Sequence, residues 1–419
     1  MKSDSNFTLK PGGGTGNSTI FDNKLSFGVS SITSAYSLKV IGTGDLRYAE
    51  IPGRTVSGFE DPTLRISFVA DSTNSRLTFN GRYQNVNRDF LNPFQVEQEE
   101  QQYGLLVGDG GTLRDVTLGL KYETGLSNPL GFVFDLNSDN KQYSNVVNPL
   151  IFDNGTDSAA VTVLMRVSPV TTLRANAGLK RYTADDALQT DRTTTDYSIG
   201  IAQDVNPALQ LDAQIGITDV QTDTIFGSRN RSGAVGSLTL TKALPNGTIF
   251  GTLKTSRNQN GARTDLSFGR DLQLANGSLR VSLGVTRGST GSTGWTGSVA
   301  YNRPLQNGDI RLAFNRAART NSSNQDVIDT RLSVGYGHDI NSVSRIDLNL
   351  NWGRAEGAGT TGIPTVDLSD LNATYTRALT SDWNMSGGLT LRQRTDTSKA
   401  DANSTALFVT LGRNFSFRP

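Results

Sequence analysis

The chain has no Cys, a single His, three Met and three Trp in 419 residues, and only 35% of it is hydrophobic. Without Cys there is no disulfide framework, no thiol nucleophile and no thiolate zinc site. His338 is the one imidazole, so a His-rich metal centre is excluded and any catalytic imidazole has to be that residue. Formal net charge is +1, from 40 Lys and Arg against 39 Asp and Glu, so no global basic field points to nucleic acid. No run of about 18 apolar residues supplies a transmembrane helix. The start, Met1-Lys2-Ser3-Asp4-Ser5-Asn6, is polar and has no apolar signal-peptide stretch. A cytosolic protein, a mature chain, or a gene start placed inside the true coding sequence would each read this way. The hydrophobic fraction also falls below the roughly 45–50% of a packed globular chain.

What is present is alternation. From about residue 24 onward, apolar and polar residues exchange at period two, as in strands wet on one side only. Leu77, Phe79, Gly81 and Tyr83 alternate with Arg76, Thr78, Asn80, Arg82 and Gln84. Val116, Leu118, Leu120 and Tyr122 oppose Asp115, Thr117, Lys121 and Glu123, and Ile346, Leu348, Leu350 and Trp352 oppose Arg345, Asp347, Asn349 and Asn351. A helical period of 3.6 fits none of them. Short turn signals punctuate the pattern: Ala70–Ser75, Asn128-Pro129, Ser168-Pro169, Asn206-Pro207, Pro245-Asn246-Gly247, Ala275-Asn276-Gly277, Gln306-Asn307-Gly308, Asp339–Ser342 and Thr380–Asp382. More variable connections lie between them: Arg88–Gly111, Ser144–Asp157, Asp185–Arg192 and Glu356–Thr365. Successive short turns are roughly 30–55 residues apart, which leaves about 9–14 residues per strand, and membrane strands need about 9–11.

A soluble sandwich or solenoid also alternates, but its inner face has to fill a shared core with large side chains. Here mid-strand Arg, Lys, Asp and Asn occupy one face and moderately apolar residues the other. A single closed antiparallel up-and-down β-barrel, apolar towards lipid and polar towards water, accounts for both faces and for the low hydrophobic fraction. The expectation is an all-β transmembrane barrel over residues 24–419, preceded by an N-terminal segment, 1–23.

The last strand, 403–417, carries Thr410-x-Gly412-x-x-Phe415-x-Phe417. This resembles the β-signal of Gram-negative outer-membrane proteins, except that Arg418-Pro419 follow the final aromatic. The resemblance implies an outer-membrane barrel recognised at Thr410, Gly412, Phe415 and Phe417 by the barrel-assembly machinery. It also implies short turns on the periplasmic side and longer loops outside. About ten short turns then give about 22 strands, with 20 as the fallback. The even-number rule requires an ascending strand before Leu25–Ser31, for which only the stub Asn6–Lys10 is available. On this reading the sequence starts late.

Strands descending to the short turns share a cadence. Tyr301-Asn302-Arg303-Pro304-Leu305, Tyr375-Thr376-Arg377-Ala378-Leu379 and Tyr336-Gly337-His338-Asp339-Ile340 each place a cation or His two residues before an apolar residue. Lys242/Leu244, Arg270/Leu272 and Arg413/Phe415 repeat the spacing. Either these side chains snorkel from the outward face to lipid phosphates, or local twist or a bulge turns them to the rim. His338 belongs to this series and reads as interfacial rather than catalytic.

Other chemistry is missing. Gly12–Gly16 and Gly288–Gly294 lack the Lys-Ser/Thr of a phosphate loop, and no carboxylate pair stands out. No catalytic, cofactor or metal residue is assigned. The expected lumen lining is Arg76, Arg82, Asp115, Lys121, Arg174, Arg280, Arg311, Arg331, Arg345 and Arg392, with Arg394, Glu123, Asp265 and Asp347 on the same face. Fixed lumen charge screens solutes, or pairs across strands to stiffen the wall. Within Arg88–Gly111, Phe94, Glu97, Glu99 and Glu100 form an acidic segment that either folds inward as a constriction or caps the outside. No sequence remains for a plug domain of the large-barrel transporter kind.

As a whole the chain resembles porin-like outer-membrane barrels. Phe59-Glu60-Asp61-Pro62 and Asn74-Ser75-Arg76-Leu77 suggest the large putative porins associated with exopolysaccharide secretion. The resemblance implies a non-enzymatic channel for small hydrophilic solutes or a secreted polysaccharide. The alternative is a non-conducting scaffold, adhesin or receptor. Expected partners are outer-membrane lipids and the assembly machinery, with a homo-oligomer or a polysaccharide-export apparatus as further candidates, and no nucleic acid.

Overall fold

The computed structural model describes residues 1–9, 16–91, 110–146, 148–289, 291–320, 325–358, 365–397 and 399–415. Strands follow one another in chain order. They begin with β1 (Lys2–Asp4), β2 (Ser18–Ile32), β3 (Tyr36–Ile51), β4 (Arg54–Asp71), β5 (Ser75–Asn87), β6 (Thr112–Thr124), β7 (Leu130–Ser144) and β8 (Asn154–Ser168). The middle of the wall is β9 (Thr171–Ala184), β10 (Asp191–Asn206), β11 (Leu209–Thr224), β12 (Gly227–Leu244), β13 (Gly247–Asn258), β14 (Gly261–Leu274) and β15 (Gly277–Arg287). It ends with β16 (Thr293–Leu305), β17 (Gly308–Thr320), β18 (Asp326–Asn341), β19 (Ser344–Gly357), β20 (Val366–Ala378), β21 (Trp383–Asp396) and β22 (Lys399–Arg413). Each strand pairs antiparallel with the next. β1 closes the cylinder by pairing with β2 at Lys2↔Ile20 and with β22 at Lys2↔Phe408. The result is an all-β, closed, up-and-down barrel of 22 strands, and the one 3-10 turn, Arg88–Phe90, is the only helical segment among the described residues.

The anticipated alternation defines the two faces. Arg263 of β14 donates to Asp326 and Thr320 at the ends of β18 and β17, and Arg392 of β21 reaches the Phe7 carbonyl. Such chords between non-adjacent strands fit only inside a cylinder, so their face is the lumen. The opposite face exposes Phe268 at 62%, Leu283 at 64%, Ile199 at 64% and Ile215 at 64%, a band of apolar side chains around the outside. Water excluded from such a band would leave backbone groups without partners, and the closed ladder removes that cost.

Turns at one end are short throughout, from Thr33–Ala35 between β2 and β3 to Leu379–Asp382 between β20 and β21. The other end is less uniformly long than the sequence suggests. Pro52-Gly53, Ile225-Phe226 and Gln259-Asn260 are two-residue connections there, while 88–111 is much longer. We call the two ends the turn end and the loop end. Gly261, with φ of +126°, shows why the shortest connections work: glycine adopts this backbone at no steric cost.

Three boundaries differ from expectation. The short first strand is Lys2–Asp4 rather than Asn6–Lys10. β2 begins at Ser18, upstream of residue 24, and β22 ends at Arg413 rather than at residue 417. Residues 6–9 fold into the lumen instead. Phe7 packs with Ile20, Ala49 and Ile51 there, and Leu9 is fully buried. This is the apolar core of the described residues, and it sits at the loop end against β2–β4.

Candidate functional site: the lumen wall

Inward positions, along one strand or across the wall, place basic side chains beside acidic ones with great regularity. Asp271 and Arg280 face each other directly across β14 and β15, so the guanidinium binds both carboxylate oxygens at 2.6 Å. Arg174 reaches Asp212 at 2.6 Å, Arg331 reaches Asp329 at 3.0 Å and Lys121 reaches Glu123 at 3.0 Å. Arg76 binds Asp71 at 2.5 Å, Arg392 binds Asp4 at 2.6 Å, and Arg82 binds Asp115. Arg311 shares Asp309 with Arg345, which also holds Asp339 at 3.0 Å and Asp347 at 2.8 Å. All ten residues expected to line the lumen are therefore members of ion pairs. Arg394 likewise binds Asp396 at 3.0 Å. The solvent-exposed pairs among them, such as Arg280–Asp271 and Arg174–Asp212, are worth under about 1 kcal/mol each, so their main effect is to cancel charge along the wall.

Several inward bases escape this cancellation, Lys24, Lys180 and Lys254 among them, and two more lie together in one patch. Lys39 of β3 and Arg65 of β4 are exposed inward and make no ion pair among the described residues. With Arg82, Ser67, Asn80, Thr117 and Asn137 they line a hollow of about 440 Å³ in the wall of β3–β7. Gly119 forms part of its floor, where a Cβ would lie 3.0 Å from the Asn137 side-chain oxygen. The arrangement offers two free cations, a paired guanidinium and side-chain amides to one bound group. That donor set suits an anion or a polyhydroxylated anion. Lys39 and Arg65 were not among the expected lining residues, although Leu38-Lys39-Val40 and Leu64-Arg65-Ile66 show the same alternation that marked the others.

At the loop end, charge and apolar surface are locked together. Arg47 is 6% exposed and faces inward from β3. It binds Asp22 and Asp61 at 2.7 Å each and Asp45 at 3.6 Å, and its guanidinium lies 3.7 Å from the Phe90 ring centroid. Phe90 in turn meets Phe7 at 4.8 Å between centroids. The connection after β5 therefore starts by turning into the lumen, helped by the Asn87 side chain accepting from the Asp89 amide. Phe94, Glu97, Glu99 and Glu100 lie outside the described residues.

Phe59-Glu60-Asp61-Pro62 acquires a local meaning here. The β3–β4 register shifts between Thr43 and Asp45, opposite this stretch, and Asp61 has φ of +53°. The kink points the Asp61 carboxylate at Arg47 and at the Asn87 amide, 2.7 Å away. On the outward face the Phe59 ring covers Gly44, filling the space a side chain would take.

The residues expected to form an assembly signal lie at the end of the last strand. Thr410 pairs with Ser386 and Gly412 with Asn384 in the β21–β22 ladder, and Phe415 is exposed beyond the strand end. Phe417 lies outside the described residues. His338 is outward on β18 near the turn end, stacked on Tyr336 at 6.2 Å, with no hydrogen bond to a carboxylate or hydroxyl among the described residues. Among the described residues no three His, Asp or Glu side chains converge as metal ligands.

Solved structures share this architecture. The ferric-catecholate import receptor Fiu from E. coli K12, in its open form, matches with a TM-score of 0.59 at 8% identity, over 98% of this chain and 81% of that one. The FrpB iron transporter from Neisseria meningitidis gives 0.59 at 8% identity, over 97% and 81%. The siderophore receptor PiuA from Acinetobacter baumannii gives 0.58 at 9%, over 95% and 81%. The likeness is one of fold. No protein-family model and no curated protein matches the sequence.

Proposed function

We propose that the chain is an outer-membrane channel that passes hydrophilic solutes, either small molecules or a secreted polysaccharide, through a lumen whose charge is largely cancelled, with two unpaired cations gathered at the Lys39–Arg65 hollow. The observation that carries this reading is a closed 22-strand wall with an apolar outer band and a polar, ion-paired inner face. A barrel of this strand number is wide enough for a lumen or a plug, and its wall alone supplies no catalytic chemistry. In this reading the turn end is periplasmic, the loop end is outside, and Thr410, Gly412, Phe415 and Phe417 serve the assembly machinery. Two unpaired cations in one hollow would favour anionic solutes, since most other wall charges carry their own counter-ion.

The test is single-channel recording of the refolded chain in planar bilayers. Discrete conductance with anion preference is expected, and a lumen closed at all voltages overturns the channel. The segment 94–102 is proposed to narrow the pore, because Phe90 already enters the lumen just before it. Deleting it should raise conductance, and an unchanged value removes the constriction. A second reading, an import receptor, draws on the fold shared with siderophore receptors. It would be preferred if the protein bound an anionic ferric chelate at its loop end yet conducted no ions.

A further inference from the structure

Six consecutive descending strands carry the cadence seen in the sequence: Lys242 on β12, Arg270 on β14, Arg303 on β16, His338 on β18, Arg377 on β20 and Arg413 on β22. The ladder decides between the outward face and a bulge. Lys242 pairs with Leu209 and Ile249, Arg270 with Ile249 and Val281, and Arg303 with Ile310. Arg377 pairs with Ser344 and Met385, and Arg413 with Trp383. Pairing runs without a register shift through all five, and the shift in β18 comes after His338. The five Lys and Arg side chains therefore point out, towards the same side as Leu240, Phe268, Tyr301, Tyr375 and Leu411.

Their surroundings are unlike those of the lumen bases. None of the five makes an ion pair among the described residues, and all are exposed. Arg413 lies between the rings of Trp383 and Phe415, at 5.2 and 4.4 Å from their centroids. Apolar residues flank each cation two positions above and two below along its strand, ending in Leu244, Leu272, Leu305, Leu379 and Phe415. A soluble acidic protein could not approach through that apolar collar. A headgroup already at the membrane surface can, with the Lys and Arg stems lying in the apolar zone.

The other half of the barrel lacks the feature. Outward positions near the turn end of β2, β4, β6, β8 and β10 are Val29 and Ser31, Phe68 and Ala70, Tyr122 and Thr124, Met165 and Val167, and Gln203 and Val205. We propose that Lys242, Arg270, Arg303, Arg377 and Arg413 form a one-sided arc that binds the phosphates of anionic lipids at the turn end, leaving the β2–β10 half without such lipid. The chemistry is charge complementarity between unpaired cations and phosphodiesters. Each basic residue held near an anionic surface raises lipid affinity by roughly fivefold.

Two measurements test the arc. The protein is reconstituted in vesicles of phosphatidylcholine with one part in five phosphatidylglycerol, and retained lipid is counted by native mass spectrometry. Wild type should keep phosphatidylglycerol in excess of its share. Combined Arg270→Gln, Arg303→Gln, Arg377→Gln and Arg413→Gln should cut that excess at least tenfold, and an undiminished excess overturns the proposal. Should the combined variant fail to fold, fluorescence quenching replaces it. Trp383 is left as the only Trp by Trp295→Phe and Trp352→Phe. It is compared with a single Trp introduced by Phe68→Trp on the other half, all three native Trp being changed to Phe. Brominated phosphatidylglycerol should quench Trp383 severalfold more than the residue at 68, and equal quenching overturns the arc.

Discussion

Arg345 and Arg377 sit one ladder step apart, Arg345 opposite Thr376 and Arg377 opposite Ser344, yet they face opposite media. Arg345 points into the lumen and holds Asp309, Asp339 and Asp347. Arg377 points out and holds no carboxylate among the described residues. The same contrast separates Arg280 and Arg311 from Arg270 and Arg303. Arg345 finds its counter-ions in the wall, whereas Arg377 takes whatever the surrounding medium offers. Side-chain type alone therefore does not assign a role to a barrel arginine. Its parity in the strand and its neighbours on the adjoining strands do.

The comparison can be broken hardest at Arg47, where inward pairing coincides with burial. Arg47→Met leaves Asp22, Asp45 and Asp61 facing one another without their cation, at a cost of roughly 3 kcal/mol. A fall of that size in unfolding free energy, followed by urea titration in bilayers, is expected. A change near zero would mean the three carboxylates have other counter-charges. Next in size is the unpaired hollow. Lys39→Glu with Arg65→Glu should reverse the channel's preference from anions to cations, read as a change of sign in the reversal potential across a salt gradient. An unshifted potential removes these residues from the conduction path.

Arg345→Gln is a smaller perturbation of opposite logic. It releases Asp339 and Asp347 into the lumen, Asp309 keeping Arg311, and should move the reversal potential towards cations by less than the Lys39 and Arg65 pair does. Equal or larger movement would show that the Arg345 cluster, near the turn end, lies at the narrower point. Smallest is Arg181→Gln. Its bond to Asp191 at 2.6 Å is exposed at the loop end, and neither stability nor selectivity should change measurably.

Much of the wall was readable in advance because period two survives in every segment where one face meets lipid. The strand number, the ten short turns and the inward parity of Arg76, Arg174 and Arg280 all follow from it. Pairing partners were not readable. Arg345 and Asp309 are 36 residues apart, and only the register between β17, β18 and β19 brings them together. The hollow around Lys39 and Arg65 was missed for the complementary reason: the alternation marked both residues as inward, but an unpaired base differs from a paired one only through its neighbours on other strands. Phe250 and Phe408 face inward against the pattern, each ring lying over a cross-strand glycine, Gly269 and Gly388. A glycine opposite a phenylalanine is invisible until the register is known. The inward turn of residues 6–9 escaped notice and that of Phe90 stood as one of two alternatives for its loop, since neither stretch has a period to read.

The pairing of lumen charge has a consequence for how the wall answers an electric field. A field does work on net charge moved along the pore axis, about 2.3 kcal/mol per elementary charge per 100 mV. Arg280 with Asp271 on the adjacent strand, or Arg174 with Asp212 two strands away, is a dipole with no net charge, held crosswise to the pore axis. Moving such a pair transfers almost nothing through the field. The bulk of this barrel therefore has little gating charge to displace, and its unpaired inward bases, with Lys39 and Arg65 clustered among them, are the parts of its inner surface that an applied potential can pull.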